Sequence, residues 1–134
     1  MHWKPFRGGI HPDPAKRTAG LAIELVPLPG RVVIPLQQHI GAPCKPLVQP
    51  GDEVLTGQVI GEPGGFVSAP VHASLSGKVA AVAPMSIHTG QEVMSVVIDS
   101  DGRDQMHPDL KAHHKWEQAS SKEIVDWIRE CGLV

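Results

Sequence analysis

Eight histidines are the chain's main supply of groups that can accept or pass a proton near neutral pH, or ligate a metal. Three of them, His11, His39 and His72, lie in Gly- and Pro-rich stretches: Gly8-Gly9-Ile10-His11-Pro12, Gln37-Gln38-His39-Ile40-Gly41 and Pro70-Val71-His72-Ala73. Such a ring either faces a neighbouring surface or hydrogen-bonds the loop backbone around it, and backbone is the commoner partner. His107, His113 and His114 lack the His-x-x-x-His or carboxylate-supported spacing of a zinc site. Cys44 and Cys131 stand far apart, with no C-x-x-C, and read as two reduced thiols. An iron–sulfur cluster needs four thiolates. Asp52 and Glu53 follow Pro50-Gly51, where an Asp side chain serves the turn itself. Neither a Ser-His-Asp pattern nor Gly-x-Ser-x-Gly stands out. The residues therefore name no catalytic group, metal ligand or cofactor ligand. His11, His39 and His72 remain as candidates for facing a partner.

The elements that must position these residues are short. Gly and Pro together number 27 of 134 residues, which favours many strands and turns over long helices. The length fits one domain with a useful core. A net charge of −2, with both signs interspersed, gives no basic stripe for a phosphate backbone. With no Tyr, two Phe and three Trp, a base-stacking platform is poorly supplied, so nucleic acid is excluded as a partner. There is no run of 18 apolar residues to span a bilayer, and the N-terminus lacks the apolar core of a signal peptide. The expected place is the cytoplasm, or the cytoplasmic face of something larger.

Residues 1–30 carry nine Pro and Gly breakers from Pro5 to Gly30 and read as an extended arm, with one strand over Leu21–Val26. Apolar runs at Val32–Ile34, Val54–Leu55, Gln58–Ile60, Val79–Ala83 and Val93–Asp99 read as strands, and Phe66–Ala69 as extended. Turns are expected at Pro50-Gly51-Asp52, Gly61–Gly65 and Leu75–Lys78. In the last strand Val96 and Ile98 share one face, and Val97 and Asp99 the other. Gly51-Asp52-Glu53-Val54-Leu55 echoes in Gly90-Gln91-Glu92-Val93-Met94, as if a hairpin unit were doubled about a pseudo-two-fold axis. Fifteen valines suit a core of twisted strands. Residues 103–119 are polar and aperiodic, and read as a linker. Ser120 and Glu123 form a capping-box pair ahead of Ile124, Trp127, Ile128 and Cys131 at helical spacing, and Gly132 is a fitting stop. A helix of about three turns cannot stand alone in water, so its apolar face needs a partner.

The segment Gly51-Asp52-Glu53-Val54-Leu55-Thr56-Gly57-Gln58-Val59-Ile60 resembles the strand that leads into the modified hairpin of biotinyl and lipoyl domains. Ala69-Pro70 through Ser76-Gly77-Lys78-Val79 resembles the strand that leads out, with an insertion. The resemblance covers roughly residues 45–100 and implies a mainly β, barrel-sandwich hybrid fold. The modified lysine belongs in the hairpin at 61–68, which holds no lysine. Neither biotin nor lipoate can be attached there.

A closer resemblance runs over nearly the whole chain. Gly8–Pro12, Leu28-Pro29-Gly30, Ile34–Pro43 and Ser68–Gly77 look like the N-terminal region of the C subunit of the Rnf electron-transport complex. A similar module opens the A subunit of the sodium-pumping NADH:quinone reductase. The resemblance implies an arm at 1–30, a barrel-sandwich hybrid domain at 31–102, and a linker and helix at 103–134 leading into a flavin/NADH-binding domain. It further implies a parent with FMN and 4Fe-4S clusters, peripheral to the cytoplasmic side of the bacterial inner membrane. In that parent, electrons pass between NAD(H) and ferredoxin, coupled to ion translocation. The Gly-rich phosphate loop and cysteine quartet of such a parent are absent from these residues, so the chain itself is expected to be a non-catalytic docking and assembly module. Its partners would be the flavin/NADH-binding domain and other subunits. The alternative is a histidine phosphocarrier, with the phosphoryl group on His72 or His39, which requires a second histidine in an apolar face.

Overall fold

The structure is a computed structural model and describes residues 14–110 and 116–133. Seven strands form two antiparallel sheets that curl around one core. They are β1 (Arg31–Pro35), β2 (Lys45–Pro46), β3 (Glu53–Val54), β4 (Val59–Glu62), β5 (Val71–His72), β6 (Gly77–Ser86) and β7 (Glu92–Ser100). One sheet runs β1-β7-β6-β3 and the other β2-β4-β5. A 3-10 turn at Trp116–Gln118 leads to a single helix, α1 (Ser121–Glu130). The mainly β reading with one C-terminal helix is what the chain adopts.

Apolar residues from both sheets and their loops meet inside: Leu36, Ile60, Leu75, Val79, Val96 and Ile98 are essentially buried, with Ile34, Val54 and Val71 beside them. The expected alternation holds in β7, where Val96 and Ile98 enter this core. Val97 is buried as well, opposite Val33 of β1 and Ala81 of β6. Loop hydrogen bonds tie strand ends to one another. Leu36 N–H donates to Met94 C=O, Leu47 N–H to Ile60 C=O, and Gly51 N–H to Val79 C=O at 2.8 Å.

Five expectations differ from the structure. The turn expected over Gly61–Gly65 starts later, because Gly61 and Glu62 still pair with Pro46 and Lys45 in β4. Leu21–Val26 forms no strand, and its apolar side chains are exposed. A strand needs a ladder partner, none of the described residues supplies one, and Pro27 and Pro29 lack the donors to continue it. Phe66–Ala69 is an irregular loop held by side chains rather than by a ladder. The bend expected over Leu75–Lys78 sits at Ser74–Leu75, and Gly77-Lys78 already pairs with Val54-Glu53 inside β6. The stretch read as a linker is stitched to the body over its first residues. Thr56 N–H donates to Gln105 C=O, His107 N–H to Thr56 C=O, and Gln105 N–H to Ser76 Oγ, because these polar groups find better partners on the barrel than in water.

The internal echo corresponds to a repeated turn into a strand. Gly51 and Gly90 both have positive φ, at 101° and 80°, and Glu53 and Glu92 each open a strand that pairs with β6. Both strands lie in the same sheet on either side of β6, so the repeat is of the turn and strand entry rather than of two equal half-barrels.

Candidate functional site

The hairpin between β4 and β5, where a carrier domain would hold its cofactor, is clamped to the loop between β1 and β2. Ser68 Oγ donates to Ala42 C=O at 2.9 Å and accepts from Gly64 N–H at 3.2 Å. Cys44 Sγ, buried, donates to Ala69 C=O at 2.9 Å. A Cβ on Gly64 would overlap the Pro43 carbonyl oxygen, so only glycine lets the two loops touch. His39 completes the clamp. Its Nε2 accepts from Ala69 N–H at 3.3 Å while Nδ1 donates to Ile40 C=O at 3.2 Å, a pattern that fits the Nδ1–H tautomer. Ala69 is thus gripped at both its N–H and its C=O. The loops turn their backbones inward and their apolar side chains outward, leaving Ile40 and Phe66 each 94% exposed.

The second feature is an open cleft of about 810 Å³ beside the last turn of α1. Val59, Pro70 and Leu110 form its apolar walls, and His72, His107, Asp109 and Glu130 contribute polar atoms. His72 is half-buried, and its ring lies by the backbone carbonyl of Glu130. Burial pushes the imidazole below its ordinary pKa, outweighing the carbonyl that pulls it up. His107 Nδ1 accepts from Asp109 N–H at 3.3 Å.

The same turn of α1 is where the helix meets the barrel. Ser120 and Glu123 make the full capping box at its start. At its end, Leu133 N–H donates to Ile128 C=O and Gly132 N–H to Arg129 C=O, a Schellman closure with Gly132 at φ 84°. A Cβ at Gly132 would stand 2.8 Å from Pro70 O, so the bare Cα lets the helix end rest on the strand entering His72. No residue of α1 is fully buried, though Ile124 and Trp127 are partly so. Val125, Ile128 and Leu133 instead form, with Phe66 and Val67 of the hairpin, a shallow groove of about 250 Å³.

Of the three candidate histidines, His39 and His72 are both engaged with backbone, one in each feature, and His11 lies outside the described residues. His113 and His114 lie outside them too. His107, which lacks the spacing of a metal ligand, shares the cleft with His72. Among the described residues no group of three His, Cys, Asp or Glu side chains is placed to hold a metal ion. Sequence spacing could not have joined His72 to Glu130, because the contact spans 58 positions and rests on a backbone carbonyl.

Residues 4–103 match the family described as the RnfC barrel sandwich hybrid domain. The chain belongs to that family. It is 44% identical over 132 residues to the C subunit of the proton-translocating ferredoxin:NAD(+) oxidoreductase complex of Clostridium ljungdahlii. It is 47% identical over 130 residues to the C subunit of the Na(+)-translocating complex of Acetobacterium woodii. It is 41% identical over 134 residues to the C subunit of the ion-translocating oxidoreductase complex of Rhodobacter capsulatus. These matches take in 96–98% of this chain but only 29%, 29% and 25% of the respective relatives.

Membership of the RnfC family accounts for a carrier-like barrel without a carrier lysine, and leaves the phosphocarrier alternative without support. Within this RnfC domain the residues do not fit an iron–sulfur cluster. The sequence has two cysteines, of which Cys44 is buried and bonded to backbone and Cys131 is exposed. No described helix is long and apolar enough to cross a membrane.

Proposed function

We propose that this chain is a docking and assembly module within the C subunit of a membrane-associated, ion-translocating ferredoxin:NAD+ oxidoreductase. In this reading it carries no redox group and does no chemistry of its own. It supports the flavin/NADH-binding domain of the same polypeptide, with residues 103–134 as the connection, and contacts other subunits of the complex. The parent carries the FMN and 4Fe-4S clusters, peripheral to the cytoplasmic side of the membrane. The observation that carries this reading is the match of nearly the whole chain, at 41–47% identity, to the C subunits of such complexes. The fate of the polar groups supports it, since His39, His72 and Cys44 are committed to backbone rather than left aimed at a substrate. His39 sits behind the exposed Ile40 and His72 beneath the end of α1, so both set the shape of surfaces a partner would meet. The segment is similar to a proton- and a Na+-translocating relative in nearly equal degree, so it does not discriminate between the two ions.

The test is elemental and spectroscopic. The purified 134-residue chain should show no flavin absorbance and no bound iron, whereas the intact RnfC protein shows both. Stoichiometric flavin or iron on the chain alone would contradict the proposal.

A further inference from the structure

We infer that the apolar strip formed by the hairpin tip and α1 is the face on which the larger remainder of the RnfC protein sits. This rests on the docking reading above and assigns it a surface. The strip comprises Ile40, Phe66 and Val67 from the clamped loops, and Val125, Ile128 and Leu133 from the helix. All six are at least 46% exposed, and five of them line or border one groove. Scattered apolar residues on a surface need no explanation, but five that share one groove, an aromatic among them, do.

Two features distinguish this strip from a loose loop. The first is rigidity. Phe66 is carried by a segment pinned through Ser68, His39, Cys44 and the Gly64–Pro43 approach, so little conformational entropy remains to be lost on binding. The second is the helix. It is closed at both ends, and Ile124 and Trp127 are partly buried, yet Val125 and Ile128 on the same helix stay 55% and 46% exposed. A helix of ten residues relies on apolar cover, and the exposed part of its apolar surface still calls for one.

The occupant follows from length and position. The relatives extend over more than three times the length they share with this chain. In the relatives the matched segment is the N-terminal part, so the polypeptide that follows it in them starts close to the groove that Leu133 walls and reaches it without a long loop. Tethering makes the encounter intramolecular, which favours it over a second copy. Arg129 borders the groove and calls for an acidic side chain at the edge of the docked apolar surface.

The experiment uses the intact RnfC protein, with Phe66→p-benzoylphenylalanine or Ile128→p-benzoylphenylalanine, and Lys78→p-benzoylphenylalanine on exposed β6 as control. After irradiation, mass spectrometry should place the links from positions 66 and 128 in the remainder of the same polypeptide, on peptides that the position 78 probe does not reach. Links joining two copies, links confined to the 134 residues, links to lipid, or no link from either position would each overturn the inference. Hydrogen exchange on the unmodified protein gives a readout free of substitution. Amides of 64–67 and 125–133 should exchange at least about tenfold more slowly in the intact protein than in the 134 residues alone, and equal rates would also overturn it. If the 134 residues and the remainder, produced separately, bind each other while the links fall elsewhere, only the surface is wrong. If they do not bind, the docking reading fails with it.

Discussion

His72 occupies the seam between β5 and α1, and its chemistry makes the seam sensitive to pH. Burial holds its pKa below the ordinary 6.5, so the docked helix favours the neutral ring and the undocked state takes up the proton first. The contribution is complete above pH 6.5 and is lost as pH falls below that value toward the depressed one. The protection of the α1 amides, corrected for the intrinsic pH dependence of exchange, should therefore fall below about pH 6.5 in the wild-type chain, and this fall should flatten in His72→Gln. His107, Asp109, Glu130 and Cys131 face the same cleft, and a curve that stays steep in that variant would show that His72 is not its source. Gly132 guards the same seam. Gly132→Ala forces a side chain into left-handed backbone and against Pro70 O, and should cost roughly 1–2 kcal/mol of local stability by exchange at the helix end.

Helix α1 shows how unevenly sequence speaks. Its start and stop are legible in Ser120, Glu123 and Gly132, because caps are local chemistry that four consecutive residues can express. Its position is not, because the contacts that place it, His72 with Glu130 and Pro70 with Gly132, span about 60 positions and carry no periodicity. Strands β1, β6 and β7 are legible from their valines for the same local reason. Leu21–Val26 misleads because strand propensity names residues that fit a sheet without supplying the neighbour that completes one. Likewise Gln105 and His107 read as solvated until the barrel presents Ser76 and Thr56 as partners. The capping box gives a direct check. Ser120→Ala removes the acceptor for Glu123 N–H and should lower the stability of α1 by about 1 kcal/mol. Exchange of the first-turn amides should report it, while the denaturation midpoint of the barrel stays put.

For the molecule as a whole, the barrel and the strip that it presents are energetically separate. The barrel rests on side chains such as Leu36 and Ile60, both with no exposed surface. Leu36→Ala or Ile60→Ala should cost about 2–5 kcal/mol in chemical denaturation. Phe66→Ser, at a side chain 94% exposed, should change stability by no more than about 0.5 kcal/mol. A carrier barrel whose hairpin is pinned rather than free, and whose lysine is missing, retains a rigid shape with an apolar rim. Under the proposed docking role, binding to the rest of the RnfC protein is the direct consequence of that shape. The decisive measurement is the affinity of the separately purified 134 residues for that remainder, by titration calorimetry, with the wild type and Phe66→Ser side by side. A one-to-one complex, weakened about tenfold or more by Phe66→Ser at unchanged fold stability, is the expected result. Absence of binding by the folded wild-type chain would contradict the docking account.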